Sequence, residues 1–249
     1  VINPLKKTFN GPIVIGGPAV GINGAEMLDF LDLQYAIRGD GEVAMVEFLK
    51  RLERKLPLEG LGGIVRREDR RLIEDNPPLL VENLDTLPFA KPHRYIELKP
   101  YKRFDSPLQI QTKRGCVLKC IYCTYNRIEG QTCRLRNPNK VADEIEELVK
   151  ETGIDFIEFT DSTFNIPLTH AKAVLQAVIN KRMNLRLRTM GLNPGAVDEE
   201  LADLLKQAGF RDVDLGVEAG CDITLKSLGK SFRKEDILHA GKLLQERNI

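Results

Sequence analysis

Three closely spaced cysteines are the residues of this chain best suited to chemistry. Cys116, Cys120 and Cys123 follow the pattern C-x3-C-x2-C. Thiolates are soft ligands, and three of them suit either zinc or an iron–sulfur cluster. A structural zinc ion needs a fourth ligand, whereas three ligands on a four-iron cluster leave one iron open for another molecule. The two kinds of site imply different functions.

The zinc alternative has a candidate fourth ligand in Cys133, ten residues beyond Cys123. Structural zinc sites usually arrange their ligands as two close pairs, so three thiols followed by a distant fourth are less usual. The spacing favours the cluster and leaves Cys133 outside it. The fifth cysteine is Cys221. An odd count with three thiols in one loop argues against a disulfide framework and favours a reducing compartment, so we expect a cytoplasmic location.

The cysteine triplet directly follows a short run with strand character, residues 108–112. Similar runs recur at 155–160, 185–189 and 212–217. Between them the apolar residues follow a helical period, with helix starts expected at Asn137-Pro138, before Ala171, at Asp198 and near Ser231. This alternation predicts four parallel βα units with right-handed crossovers.

Functional groups of parallel α/β folds gather at the carboxyl ends of the strands. We therefore expect four stretches to face one cavity. They are the cysteine triplet, Thr160-Asp161-Ser162, Arg188-Thr189 and Gly216-Val217-Glu218-Ala219-Gly220.

The first 57 residues predict a piece of an open α/β sheet. An apolar run at 12–15 ends in Gly16-Gly17-Pro18, and a second strand is expected at 35–37. Helices are expected at 25–33 and 43–56, the second with an inward face of Val43, Val46, Leu49 and Leu52. The glycine pair also has an ordinary interpretation as a strand-end turn.

Residues 58–107 interrupt this alternation. Glycines, a run of charged residues and several prolines predict a hairpin followed by an extended connector, with a domain boundary near its end.

The amino-acid composition excludes few classes of function. The chain has 249 residues, with 37 basic against 36 acidic side chains, so bulk charge indicates no particular partner. Apolar runs are too short to span a bilayer, and we expect no membrane attachment. The chain starts at Val1 without a basic and apolar leader, and its lack of a methionine suggests a start further upstream.

The stretch Arg114-Gly115-Cys116-x3-Cys120-Ile121-Tyr122-Cys123, followed by parallel βα units, resembles the radical S-adenosylmethionine (SAM) enzymes. The resemblance implies a [4Fe–4S] cluster on the three cysteines with SAM on the fourth iron. It implies reductive cleavage of SAM to a 5′-deoxyadenosyl radical, fed by an electron donor such as a flavodoxin or ferredoxin. It also implies that residues 108–249 are an incomplete (β/α)6 barrel with four units visible.

The same resemblance implies contacts to SAM. Thr160, Asp161 and Ser162 occupy the place of the family's Gly-Gly-Glu motif, from which they depart, and an anionic side chain there would pair with the SAM ammonium. Arg188 would pair with the SAM carboxylate. Further contacts would come from Tyr122 beside the adenine and from Gly216 and Glu218 beside the ribose hydroxyls. The alternative is that the charged members form ordinary strand-end ion pairs and that Tyr122 packs the loop.

The N-terminal part is similar to the cobalamin-binding branch of the family. The features that carry this similarity are the Gly16-Gly17-Pro18 turn, the stretch Arg38-Gly39-Asp40-Gly41-Glu42 and the proline-rich connector. The resemblance implies that residues 1–57 are the C-terminal part of a Rossmann-like cobalamin-binding domain, with Gly16 and Gly17 near the nucleotide tail. The family's Asp-x-His-x-x-Gly signature would lie upstream of Val1. None of His93, His170 and His239 has that context, and each is expected to be a surface or helix residue.

We expect cobalamin-dependent methyl transfer to an unactivated carbon of a small metabolite. Three alternatives remain open. One is cobalamin-dependent radical cyclisation or rearrangement. Another is RNA modification of the methylthiotransferase kind, favoured by basic residues around the triplet but disfavoured because no second cysteine trio precedes it. The third is a non-catalytic, zinc-stabilised module.

Overall fold

The computed structural model describes residues 2–69, 71–74 and 76–249, which form two compact units. The first unit comprises Val1–Glu82 and Thr124–Gly130, and the second comprises Asn83–Cys123 and Gln131–Ile249. The predicted hairpin thus belongs to the first unit, whereas residues 83–107 of the predicted connector belong to the second. The assignment of the units to cobalamin and to SAM stays a prediction.

The regular elements follow one another as helices and short strands. In chain order they are α1 (Ile2–Thr8), β1 (Val14–Ile15), α2 (Pro18–Leu31), β2 (Tyr35–Ile37), α3 (Gly41–Glu53), β3 (Ile64–Glu68), β4 (Arg71–Ile73), α4 (Lys99–Arg103), β5 (Leu108–Ile110), β6 (Lys113–Arg114), α5 (Tyr125–Ile128), β7 (Arg134–Leu135), α6 (Pro138–Thr152), β8 (Phe156–Phe159), α7 (Leu168–Asn180), β9 (Arg186–Thr189), α8 (Glu199–Ala208), α9 (Asp222–Ser227) and α10 (Lys234–Gln245).

The first unit contains a sheet with the strand order β1-β2-β3-β4. The first two strands are parallel, with Val14 opposite Tyr35, and the next two pairs are antiparallel, so that β3 and β4 form a hairpin. The predicted strands at 12–15 and 35–37 and the predicted hairpin are confirmed. The connection β1-α2-β2 is a parallel βαβ unit, as expected for an open α/β sheet.

Helix α2 begins earlier than the apolar period suggests. Gly17, with φ 90°, precedes it, and Pro18 occupies its first turn, where the missing amide costs nothing. A non-helical residue, Asn23, kinks the helix just before the predicted start at residue 25. The proline signal thus sets the start of the helix, and the kink explains why the period is clear only beyond it.

The predicted inward face of α3 is wrong for three of its four residues; the fourth, Leu52, is half-buried and packs against the core. Val43, Val46 and Leu49 are 44%, 50% and 53% exposed, whereas Ala44 and Phe48 are fully buried. The Phe48 ring packs edge-on against Tyr35 with centroids 5.1 Å apart. The helix carries two adjacent apolar stripes, and it buries the one in which a small residue allows close approach and an aromatic ring removes the most area from water.

The second unit contains a parallel sheet with the order β5-β8-β9. Ile110 lies opposite Phe159, and Phe159 lies opposite Thr189. The rings of Phe159, Phe164 and Phe210 stack beneath the ends of these strands, with centroids 4.9 to 6.2 Å apart. The predicted strands at 108–112, 155–160 and 185–189 and the helices after them are confirmed.

The fourth predicted strand, 212–217, is wrong for the part of the chain that the structure describes. One isolated parallel bridge occurs there, between Leu192 and Leu215, and another joins Leu187 to Phe210 just before it. The amide of Val217 bonds the carbonyl of Leu215 at 2.8 Å, and Glu218 has φ 56°. These tight turns bend the backbone away from an extended strand. The parallel sheet β5-β8-β9 is therefore open, and the described residues form no closed barrel.

Within residues 2–69, 71–74 and 76–249, no helix combines the length and the hydrophobicity that crossing a membrane requires.

Candidate functional site

The three predicted cluster ligands lie in one loop of the second unit. We call residues 115–123 the cysteine loop; it begins directly after β6, which pairs antiparallel with β7. Cys116 is 8% exposed, and Cys120 and Cys123 are half-buried. The amide of Cys123 donates to the carbonyl of Cys120 at 3.2 Å, which turns the loop between the last two thiols. All five cysteines of the chain are free thiols.

The Asp161 carboxylate fixes the start of this loop. It accepts hydrogen bonds from the Thr112 amide at 2.8 Å, the Thr112 hydroxyl at 2.6 Å and the Lys113 amide at 3.2 Å. Asp161 is 1% exposed, so these bonds form in a medium of low dielectric constant, where they are strong. The predicted contact of Asp161 with the SAM ammonium stays a prediction, while the structure shows the carboxylate engaged by the backbone beneath the cysteine loop.

A buried ion pair supports the same stretch from another side. One Arg136 guanidinium nitrogen donates to the Gln111 carbonyl at 2.7 Å, and another donates to Glu144 at 2.5 Å. The second oxygen of Glu144 accepts from the Ala90 amide at 2.8 Å. Removing one partner of such a pair would leave a buried charge uncompensated, which is costly. Arg136 therefore holds β5 in place where it leads into the cysteine loop.

His170 and Lys113 complete a buried polar cluster below the loop. The Nε2 of His170, on α7, lies 3.2 Å from the Thr112 carbonyl, and the Lys113 ammonium donates to the Thr163 carbonyl at 2.6 Å. Burial lowers the pKa of His170, partly opposed by its bond to Thr112 and by the Asp161 charge, whereas Lys113 lowers it further. His170 is thus a helix residue, as expected, but a buried one.

A second polar cluster borders the other side of the cysteine loop. The Lys230 ammonium forms an ion pair with Glu218, lies 3.4 Å from the Gly216 carbonyl and sits 5.3 Å from the centre of the Tyr122 ring. Burial raises the pKa of Tyr122, and the nearby Lys230 ammonium opposes the rise. Gly216, Glu218 and Tyr122 were predicted as separate SAM contacts, and Lys230 joins them.

Sequence reasoning missed Lys230, although Gly229 beside it was a usable signal. Gly229 has φ +72°, and a Cβ there would lie 2.7 Å from the Lys119 carbonyl oxygen. The Ile121 amide donates to the Leu228 carbonyl at 3.1 Å. A glycine after a short helix marks a left-handed turn, which here brings the backbone of 228–230 against the cysteine loop.

The donor set fits an iron–sulfur cluster. In a four-iron cluster each thiolate binds a different iron, so the sulfurs surround a volume and do not converge on one point. In the described part of the chain, no three His, Cys, Asp or Glu side chains are grouped to hold a single metal ion. Burial raises the pKa of Cys120, the Lys230 charge opposes this, and the neighbouring Cys123 and Cys116 thiols raise the pKa further. The three thiols thus lie within electrostatic reach of one another.

Cys133, the fourth ligand of the zinc alternative, lies close to the base of the loop. Its sulfur is 3.7 Å from the Gly115 carbonyl oxygen and 3.9 Å from that of Ile166. Burial raises the pKa of this thiol, and the Lys113 charge opposes the rise. Cys133 thus serves as a donor to backbone carbonyls.

The remaining predicted residues of the second unit occupy strand ends. Arg188 pairs with Glu158 at 3.0 Å and with Asp214 at 3.3 Å, which matches the ordinary ion pair considered as its alternative role. The Thr160 amide donates to the Ile110 carbonyl at 2.9 Å and continues the sheet, and the Ser162 hydroxyl lies 3.4 Å from the Gly115 carbonyl. Their contacts to SAM stay predictions.

The predicted cobalamin contacts lie in the first unit, at the junction of β1 and α2. A Cβ on Gly16 would lie 3.5 Å from the Ile37 carbonyl oxygen, whereas a Cβ on Gly17 would meet nothing within 4 Å. Gly17 nevertheless requires a residue that tolerates φ 90°. The open space at Gly17 is compatible with close approach of a ligand, and the contact itself stays a prediction.

Comparison with known proteins identifies the family. Residues 110–249, more than half of the chain, match the radical SAM superfamily. The chain belongs to this superfamily, which confirms the resemblance seen in the cysteine loop.

Curated relatives and solved structures show which members of the superfamily this chain is similar to. An uncharacterised methyltransferase of Pyrococcus horikoshii is 25% identical over 92% of this chain and 50% of its own length. The cytidylyl-2-hydroxyethylphosphonate methyltransferase of Streptomyces wedmorensis is 27% identical over 87% of this chain and 46% of its own length. The chain thus spans about half the length of these relatives.

The radical SAM methyltransferase TsrM of Kitasatospora setae has been solved with cobalamin and a [4Fe–4S] cluster, and with tryptophan substrate and a SAM analogue. These structures cover the whole of this chain and 50% of their own, at 25% and 26% identity, with TM-scores of 0.86 and 0.88. The predicted resemblance to the cobalamin-binding branch is confirmed.

The Asp161 contacts predict that Asp161→Asn loosens the cysteine loop. The amide has one acceptor oxygen where the carboxylate has two, and the loss of charge-assisted bonds to buried donors costs about 1–3 kcal/mol of unfolding free energy. We expect iodoacetamide to alkylate the buried Cys116 thiol several-fold faster in the metal-free variant, measured by mass spectrometry. The matched control is Asp212→Asn at an exposed position. Equal Cys116 rates in the wild type and Asp161→Asn would show that the carboxylate does not hold the loop.

The lowered pKa of His170 predicts a pH-dependent stability. The unfolded histidine titrates near 6.5 and the folded one lower, so the unfolded state binds more protons in that interval and stability falls as the pH drops below about 6.5. Denaturation midpoints measured between pH 8 and pH 5 should show this decline in the wild type, and it should be weaker in His170→Gln. An exposed histidine replaced in the same way, His239→Gln, is the control. An unchanged decline in His170→Gln would assign the pH dependence to other groups.

Proposed function

We propose that the protein is a radical SAM enzyme that uses a [4Fe–4S] cluster to cleave SAM reductively and transfers a methyl group, with cobalamin, to an unactivated carbon of a small molecule. The observation that carries the proposal is the match over the whole chain to a methyltransferase solved with both cofactors. The cysteine loop at a strand end supplies the ligands that this chemistry needs.

The proposal gives Cys116, Cys120 and Cys123 the role of cluster ligands. Because all three belong to one loop, holding the start of that loop places the whole set. Asp161 does this through Thr112 and Lys113. When bound, the cluster supplies the electron that splits SAM, and three protein ligands leave one iron to which SAM can bind.

The proposal places SAM beside the Tyr122, Gly216 and Glu218 cluster. The Tyr122 ring offers a face for the adenine, and the Glu218 carboxylate offers acceptors for ribose hydroxyls. Asp161 contributes by holding the loop, and Thr160 and Ser162 continue the same strand end. Arg188 would meet the SAM carboxylate by exchanging one of its present carboxylate partners.

The cobalamin part of the proposal rests on the first unit. Its β1-α2-β2 segment is a parallel βαβ unit, and such units bind nucleotide-like groups at the carboxyl ends of their strands. Gly16 and Gly17 lie at that position. We propose that they approach the nucleotide tail of cobalamin, because neither carries a side chain and a Cβ on Gly17 would face open space.

The proposed chemistry requires a one-electron donor, such as a flavodoxin or a ferredoxin. It also requires a reducing compartment, and we place the enzyme in the cytoplasm. Support comes from its five free thiols, which in an oxidising compartment would be exposed to disulfide formation. The substrate is proposed to be a small molecule.

Single cysteine replacements test the cluster. After anaerobic reconstitution with iron and sulfide, the wild type should hold about four irons per chain. Cys116→Ser, Cys120→Ser and Cys123→Ser should each lose most of this iron, because the remaining two thiolates cannot retain the cluster. Cys133→Ser and Cys221→Ser are matched controls that should keep it. Loss of iron in Cys133→Ser, or one tightly held zinc in the wild type, would support the structural zinc site.

Methyl transfer is tested with SAM that carries a deuterated methyl group. The protein, loaded with cluster and cobalamin and supplied with a reductant, should convert a pool of candidate metabolites to a product three mass units heavier than its methylated form. Both 5′-deoxyadenosine and S-adenosylhomocysteine should accumulate. Formation of 5′-deoxyadenosine with a product that lacks the label would contradict methyl transfer and indicate cyclisation or rearrangement.

A further inference from the structure

Lys230 lies at the centre of a polar cluster whose role is not explained by the assignment of the cysteines as ligands. The Lys230 side chain is charged but only 7% exposed. A lysine is seldom buried unless its charge is paired. One partner is Glu218, which sits in a left-handed backbone conformation. The Tyr122 and Phe232 rings lie 5.3 and 5.4 Å from the ammonium.

The backbone beside Lys230 lies directly on the cysteine loop. The Ile121 amide donates to the Leu228 carbonyl, and a Cβ on Gly229 would lie 2.7 Å from the Lys119 carbonyl oxygen and 3.7 Å from the Cys120 Cα. Lys230 therefore follows a segment in contact with Cys120, and its ammonium interacts with the ring of Tyr122, between Cys120 and Cys123.

The ammonium also leaves a net positive field at the cysteine loop. The Lys230 side chain is 7% exposed whereas that of Glu218 is 37% exposed, so water screens the carboxylate more than the ammonium and the ion pair is not electrically silent there. A net positive field at a cluster ligand stabilises the reduced, more negative cluster. Cluster potentials respond to nearby charge and to solvent exposure.

We propose that Lys230 is a positioning residue that holds the cysteine loop against residues 216–218 and raises the reduction potential of the cluster bound there. This inference rests on the proposed function, because it assumes that Cys120 ligates the cluster. It assigns to Lys230 two separable effects, one on the mobility of the loop and one on the potential.

The first effect is measured in the metal-free protein by amide hydrogen exchange. Lys230→Met should speed exchange at the Ile121 amide by at least several-fold, because the bond to Leu228 loses the support of the cation–π contact and the ion pair. Lys230→Arg should retain most of the protection. Lys226→Met, an exposed lysine on α9, is the matched control and should exchange like the wild type. Unchanged exchange in Lys230→Met would overturn the positioning role.

The second effect is measured by a redox titration of the reconstituted protein, followed by electron paramagnetic resonance. Relative to the wild type, Lys230→Met should shift the midpoint to more negative values and Glu218→Gln to more positive values. Lys230→Arg and Lys226→Met should stay near the wild type. In a double variant, Lys230→Met with Glu218→Gln, the midpoint should return towards the wild-type value. A purely structural role of Lys230 would not produce this compensation.

The outcomes separate two failures. If the wild type holds a four-iron cluster but Glu218→Gln and Lys230→Met leave its midpoint unchanged, the effect on the potential is overturned and the proposed function stands. If the Lys230→Met variant holds no cluster, its midpoint cannot be measured, and the Glu218→Gln variant tests the effect on the potential instead. An unshifted midpoint in Glu218→Gln would then overturn that effect. A wild type without a four-iron cluster contradicts both the proposed function and the effect on the potential, while hydrogen exchange still decides the positioning role.

Discussion

The buried Asp161 carboxylate is the interaction on which the cysteine loop depends. Strands β5 and β8 are hydrogen-bonded neighbours, with Ile110 opposite Phe159, so the second residue beyond one strand reaches the second residue beyond the other. Asp161 meets Thr112 there, and its 1% exposure makes the bonds strong and their loss costly. Cys116 follows only four residues later. The sheet register therefore sets where the first thiol lies, and the Arg136–Glu144 ion pair and His170 secure the same point from the adjoining helices.

A second constraint acts on the far side of the loop. Lys230 pairs with Glu218 and faces Tyr122, while Gly229 lets the backbone approach Lys119. The loop is thus held by an anionic group at its start and a cationic group near its middle. Such an arrangement suits a cluster site, because protein groups around the thiolates orient them and adjust their electronic environment. The protein's contribution to the chemistry of a radical SAM enzyme is of this kind: placement, shielding and charge around the cofactors.

Much of this was predictable from the sequence, and the failures have physical reasons. The cysteine spacing and the alternation of strand and helix periods are local signals. The alternation gave the strands at 108–112, 155–160 and 185–189, and the spacing predicts the three cysteines as cluster ligands. The exposure of Val43 was missed because α3 carries two apolar stripes and only tertiary packing selects one. The strand predicted at 212–217 does not form because turns around Glu218 override a favourable composition. Lys230 lies more than a hundred residues from Tyr122, and the partners of Asp161 depend on the sheet register. No local sequence pattern therefore predicts either contact.

In the function proposed for this protein, the cysteine loop carries a four-iron cluster with one iron available to SAM. Electron paramagnetic resonance of the anaerobically reconstituted, dithionite-reduced protein, recorded with and without SAM, tests it most directly. We expect the signal of a reduced four-iron cluster and a change in its g-values when SAM is added, because SAM would bind the fourth iron. A cluster signal indifferent to SAM, or a protein that holds zinc in place of iron, would contradict it.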